Sequence, residues 1–127
     1  MRRFATRTTG VGVSGGNATN IDVVEVLSAA VSGSGDIALN ESDMITLTAV
    51  STTDGIVDIS AGGTLTATNV SAGGGVGDNL ILTATAGDVD LGTVSAADTA
   101  VISADAGSII DSNGAANNIT AQDIDLS

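Results

Sequence analysis

Apolar and polar residues alternate in short runs along most of the chain, and the runs repeat. DIALNESDMITLTAV (36–50), VDISAGGTLTATNV (57–70) and LILTATAGDVDLGTV (80–94) each hold an alternating run, a polar turn, a second alternating run and a closing Val. AVISADAGSII (100–110) follows the same plan. Three apolar columns result: Leu39, Ile59, Leu82 and Ile102; Ile45, Leu65, Val89 and Ile109; Val50, Val70 and Val94. Steps along the first are 20, 23 and 20 residues, and along the second 20, 24 and 20. The extra residues of the middle step fall in SAGGGVGDN (71–79), a loop where an insertion does little harm. Alternation with a period of two is the mark of a strand with one buried side.

A repeat of about 20 residues holding two or three short strands predicts an all-β fold, a parallel β-solenoid. Coils stack at the strand spacing of about 4.8 Å, so Leu, Ile and Val pile up inside while Asn, Asp, Ser, Thr and Gly face water or form corners. An immunoglobulin-like sandwich is the competing all-β fold. It normally carries a buried aromatic and leaves the columns unexplained. NIDVVEVLSAAV (20–31) reads as a first coil, with Val24 or Val26 inward and Val31 near the third column. Residues 1–19 show no period and are expected to be an irregular or disordered tail, leaving 20–127 as the solenoid. Ile119, Ala121, Ile124 and Leu126 read as a fifth coil just begun. No capping element follows them, so the segment is expected either to be a piece of a longer chain or to stack end to end through open edges.

Composition sharpens this picture. Of 127 residues 43% are hydrophobic, yet Phe4 is the only aromatic, and there is no Pro, Cys or His. The core must therefore be thin and aliphatic, because aromatics usually supply much of a globular interior. The net charge is −12, and the only basic residues are Arg2, Arg3 and Arg7. Phosphate backbones need Lys and Arg along a surface, so nucleic-acid binding is not expected, nor is adsorption to anionic lipid. Without cysteine there is neither a disulfide nor a thiolate metal site. MRRFATRTTG has no apolar run behind its charges and is not a signal peptide, and no stretch reaches transmembrane length.

LILTATAGDVDLGTVSA (80–96), GTLTATNVSAGG (63–74) and DTAVISADAGSIIDSNGAANNITAQDIDLS (98–127) resemble the repeat region of large bacterial adhesins of the filamentous haemagglutinin type. The likeness covers roughly residues 35–127 and is one of pattern. It implies a right-handed parallel β-helix, secreted through an outer-membrane partner and displayed as a stalk at the cell surface. The Asn-Pro motifs of that family's secretion domain are missing, since the chain has no Pro.

Candidate chemistry is sparse. Asp88 and Asp90, like Asp123 and Asp125, stand two apart on a strand, the pairing that glycoside hydrolysis uses. Neither pair has a His, Lys or Arg beside it or an aromatic to hold a sugar, so no catalytic residue is assigned and the chain is not expected to be an enzyme. GGVGDNLIL (74–82) comes near a calcium-binding nonapeptide, but in a single copy with Asn79 where Asp belongs. Asp36, Asp54, Asp78 and Asp98 precede the first apolar column by 3, 5, 4 and 4 residues and make a candidate calcium column at one corner. Carboxylates about 5 Å apart repel by about 1 kcal/mol in water, which a hard cation relieves. Thr-x-Thr runs at 46–48, 64–68 and 83–85 raise ice binding, but they fall on different sides of the coil and suit a strand anyway. Asn17, Asn40, Asn69 and Asn118 lie in glycosylation sequons that so Asn-, Ser- and Thr-rich a chain supplies by chance, and the same residues are candidates for stacked ladders.

The reading is a structural stalk or adhesive repeat segment of a secreted or cell-surface protein, associated with the outer membrane, with its export signal outside these residues. A host or surface glycan or protein is the expected partner, without nucleic acid or membrane insertion. A stand-alone carbohydrate- or calcium-binding module is the alternative, and a polysaccharide-degrading enzyme comes third.

Overall fold

Ile45, Leu65, Val89 and Ile109 lie one above another in consecutive parallel strands. Leu39, Ile59, Leu82 and Ile102 do the same in a second sheet. Val50, Val70 and Val94 stack further along the first. The computed structural model describes residues 2–7, 19–21 and 26–127, with side chains from Leu27 on. Those residues form an all-β solenoid of about 5 turns, its parallel strands about 21 residues apart.

One sheet runs β1 (Arg2–Arg7), β3 (Val26–Ser34), β5 (Ile45–Asp54), β7 (Leu65–Ala72), β9 (Val89–Ala96) and β11 (Ile109–Asp111), with β12 (Ile119–Thr120) also paired to β9. The other runs β2 (Thr19–Ile21), β4 (Ile37–Glu41), β6 (Val57–Ala61), β8 (Leu80–Ala84), β10 (Thr99–Ala104) and β13 (Asp123–Leu126). In β5 and β7 the alternation breaks once: Thr48 and Ala49, then Thr68 and Asn69, are exposed in succession. After these pairs Val50 and Val70 are buried again. Each coil thus offers three inward segments, which accounts for three columns from two sheets.

Nearly every column member is fully buried. Burying a Leu, Ile or Val side chain is worth about 1.5–3 kcal/mol, so the columns carry the stability. Small residues close each segment, Ala61, Ala84 and Ala104 in one sheet and Ala72 and Ala96 in the other. A coil this narrow has room for aliphatic layers and alanine corners, which is why the core can do without aromatics.

Four details differ from the sequence reading. In the first coil Leu27 points inward, buried against Leu47, and Val26 is the backbone partner of Thr46. Val24 lies outside the described residues. Ala29 takes the place in the third column, paired with Val50, and the buried Val31 sits two residues on against Thr52. The irregular tail expected over 1–19 is a strand at Arg2–Arg7, paired with β3; residues 8–18 lie outside the description. Ile119 does not begin a new coil. It pairs with Val94 and completes the third column, and the next coil starts only at β13, where Leu126 stacks on Ile102. The excursion 112–118 delays the second half of that coil and hides its period.

The loop 73–79 is the other excursion. Val76 is 90% exposed, and a Cβ placed on Gly75 or Gly77 would meet nothing within 4 Å. Limited digestion with elastase is expected to nick this loop first, because exposed tips of small residues are cut before stacked strands. First cleavage inside β7 or β8 would contradict the placement.

Candidate functional site

Several polar side chains at the corners bind the coil stacked on their own. Asp36 Oδ1 accepts the Ile56 N–H at 2.9 Å, Asn79 Oδ1 the Thr99 N–H at 3.2 Å and Asp88 Oδ1 the Ser108 N–H at 2.9 Å. Each bond spans 20 residues, one coil. Asx side chains favour turns because they satisfy backbone donors that the ladder leaves unpaired. Here they do so between coils, and so hold neighbouring coils in register.

The four aspartates of the proposed calcium column do not share one register place. Asp36 occupies the corner place directly before Ile37, equivalent to Ile56, Asn79 and Thr99. Asp78 and Asp98 stand one place earlier. Asp54 stands earlier still, level with Ser34. Each carboxylate has its own protein donor: Asp54 Oδ2 accepts from the Ser34 hydroxyl at 2.6 Å, Asp78 Oδ2 from the Gly75 N–H at 2.6 Å and Asp98 Oδ2 from the Gly77 N–H at 2.7 Å. Among the described residues no three His, Cys, Asp or Glu side chains converge to hold a metal ion. The offsets of 3, 5, 4 and 4 residues were the warning, since a true column keeps a constant offset. Calcium, and EDTA after it, is therefore expected to leave the melting temperature unchanged, as a scan with each will show.

The carboxylate pairs separate by environment. Asp88 is engaged at the corner, while Asp90 lies on the strand between Thr66 and Ile110. Asp123 and Asp125 are exposed in β13, level with Thr99 and Val101. Thr46 and Thr66 stack as the sequence suggests, and Asp90 and Ile110 then end the row. In backbone register Asn20 pairs with Asn40 and Asn69 with Thr93, and Asn40 Oδ1 accepts from the Ser60 hydroxyl at 2.6 Å.

Two features went unnoticed in the sequence. Glu41 is only 1% exposed, at an inward place whose equivalents are Ala61, Ala84 and Ala104. Those alanines leave room for its chain, and Oε1 turns back to accept the Ser42 N–H at 2.9 Å. The column two residues past Leu39, Ile59, Leu82 and Ile102 would have revealed it. Glu41→Ala is expected to cost about 1–3 kcal/mol in urea unfolding, the loss of a charge-assisted acceptor, and Glu41→Gln less. A more stable Glu41→Ala chain would mean that the desolvated charge outweighs its hydrogen bonds.

The second feature is the excursion DSNGAANN (111–118). Asp111 Oδ1 accepts from the Asn118 amide at 3.0 Å and from the N–H groups of Asn113 and Gly114 at 2.8 and 3.2 Å. The amides of Asn113 and Asn118 reach back to the Gly92 and Leu91 carbonyls. These donors, the Asn118 amide first, hold the Asp111 carboxyl below its ordinary value. A lowered pKa means that the ionised form favours the folded loop. Its contribution is complete above the ordinary carboxylate range and fades as pH falls through the lowered value. Acid titration followed by NMR should therefore shift the Asn113 and Gly114 amide resonances together, below the pH at which exposed aspartates titrate.

No protein-family model, curated protein or solved structure matches the chain. The class it belongs to is thus set by its own geometry, that of a parallel β-solenoid with an aliphatic core and acidic, hydrogen-bonded corners.

Proposed function

We propose that the chain is a structural, non-catalytic repeat segment of a secreted or cell-surface protein, akin to the stalks of filamentous-haemagglutinin-type bacterial adhesins. The observation that carries this reading is where the ordered chemistry goes. The columns and the Asx bonds between coils serve stacking, and among the described residues no corner gathers the acid, base and substrate-holding groups that a reaction needs. Repetition of one coil extends a rod, because each coil needs only its neighbours. An acidic exterior keeps such a rod soluble and discourages adsorption to nucleic acid and anionic lipid. The segment would hold a binding tip away from the cell or offer a repetitive face to a surface glycan or protein.

Protease treatment of intact source cells, followed by an immunoblot against residues 35–127, tests this. The reading expects the signal to disappear from intact cells while a cytoplasmic marker survives. A signal degraded only after lysis would overturn it.

A further inference from the structure

The excursion 111–118 holds the chain's single Asn-Gly pair, Asn113-Gly114, and every other asparagine precedes a residue with a side chain. An asparagine before glycine is the most labile of its kind, because the next main-chain nitrogen reaches the side-chain carbonyl carbon with no Cβ in the way. Here the approach is open. Gly114 has φ +72° and is exposed, and a Cβ on it would meet nothing within 4 Å. Asp54-Gly55 has the same spacing but is closed off. Gly55 is buried, its N–H donates to the Gly73 carbonyl at 3.2 Å, and a Cβ there would run into the Gly35 carbonyl. The head of the Asn113 side chain also sits where only an amide fits. Its Nδ2 donates to the Gly92 carbonyl at 2.5 Å and to the Asn117 carbonyl at 3.3 Å, while its buried Oδ1 has no donor.

We propose that Asn113 is a site of spontaneous modification, and that its conversion to aspartate or isoaspartate releases the excursion from the stack. The Gly114 nitrogen, its proton lost to hydroxide, bonds to Cγ of Asn113. The Cγ–Nδ2 bond breaks, and the amide nitrogen takes a proton from water and leaves as ammonia. A cyclic succinimide remains, and water opens it at either carbonyl to give aspartate or isoaspartate. Aspartate puts a carboxylate where the amide was. One oxygen then faces the Gly92 and Asn117 carbonyls, and the other lies where no donor reaches. A charge enclosed without donors is costly, so the side chain leaves. Isoaspartate reroutes the main chain through Cγ, which adds a methylene and takes the amide away from Gly92. Asp111 is the brake. Its Oδ1 accepts the Gly114 N–H at 3.2 Å, and attack requires that bond to open. The inference goes beyond the proposed role and holds wherever the chain is located.

Peptide mass spectrometry of the folded chain, aged in warm neutral buffer and digested with pepsin at acid pH, tests it. Asn113 should convert before any other asparagine, into aspartate and isoaspartate together, while Asp54 stays as it is. Gly114→Ala should slow the conversion several-fold, in the folded and in the urea-denatured chain alike. Asp111→Ala should speed it several-fold in the folded chain only. Asn113→Asp, a product made directly, should raise hydrogen exchange at the Asn113 and Gly114 amides about tenfold or more, as the excursion loses its hold, while the amides of β8 keep the parent's protection. Earlier conversion of another asparagine, or of Asp54, overturns the inference. So does aspartate without isoaspartate, which would mean direct hydrolysis, or a folded-chain rate indifferent to Asp111. Unchanged exchange in Asn113→Asp would overturn the release of the excursion. None of these outcomes bears on display at the cell surface.

Discussion

Leu82→Ala should lower the unfolding free energy by about 2–5 kcal/mol, the largest loss expected of any single truncation in the chain. Leu82 is fully buried between Ile59 and Ile102, in the middle of the first column and of the stack. Its coil is pinned above and below, so the walls of the cavity cannot close in without breaking ladder hydrogen bonds on both sides. Marginal domains hold only about 5–15 kcal/mol in all, so the effect will be plain in urea unfolding followed by circular dichroism. Coils couple mainly to their neighbours, and the transition should also broaden or split as the two halves of the stack part. The matching truncation at the exposed end, Leu126→Ala, should cost well under half as much. Equal losses at both sites would show that burial does not follow the columns.

Gly87→Ala should cost about 1–3 kcal/mol although it adds a single methyl group. A Cβ on Gly87 would stand 2.4 Å from the Thr64 nitrogen and 2.7 Å from the Gly63 carbonyl carbon. Both are backbone atoms of the preceding coil, and neither can swing aside as a side-chain tip would. The coil spacing itself would have to open at that corner. Gly75 provides the control, since a Cβ there meets nothing within 4 Å. Gly75→Ala should be neutral or raise stability by about 0.4–1 kcal/mol through a less flexible unfolded chain. Melting temperatures of the two variants should therefore move in opposite directions, or one should move and the other stay. Similar shifts for both would remove close coil packing as the reason for glycine at that corner.

The columns were legible in the sequence because inward places repeat with the coil and tolerate only Leu, Ile, Val or Ala. That logic placed Leu39, Ile45, Val50 and their successors correctly. It failed where the repeat is locally degenerate. In VVEVLSAAV several apolar residues compete for the inward places, and only pairing with Leu47 and Val50 selects Leu27 and Ala29. It failed also where length varies: residues 112–118 moved Ile119 far enough from Val94 to look like the start of a new coil. Corners are the least legible part. They accept insertions, so aspartates a few residues before a column need not share a position, and the four proposed as a calcium column do not. Glu41 was hidden for another reason, that a carboxylate is not looked for at an inward place. Its alanine neighbours in the column make the room that composition alone does not show.

The central claim is one stack of coils in this register. Because the chain has no cysteine, it can be tested by pairs introduced on the outward hydroxyl row, where Ser51, Ser71 and Ser95 follow one another in register. Neighbouring places in the row are separated by about 4.8 Å, within reach of a disulfide, and places two coils apart by about twice that, beyond reach. On mild oxidation of dilute protein, Ser51→Cys with Ser71→Cys, and Ser71→Cys with Ser95→Cys, should each close an intramolecular bridge. Ser51→Cys with Ser95→Cys should remain reduced within the chain. Bridging of the distant pair, or failure of both neighbouring pairs, would contradict the solenoid register.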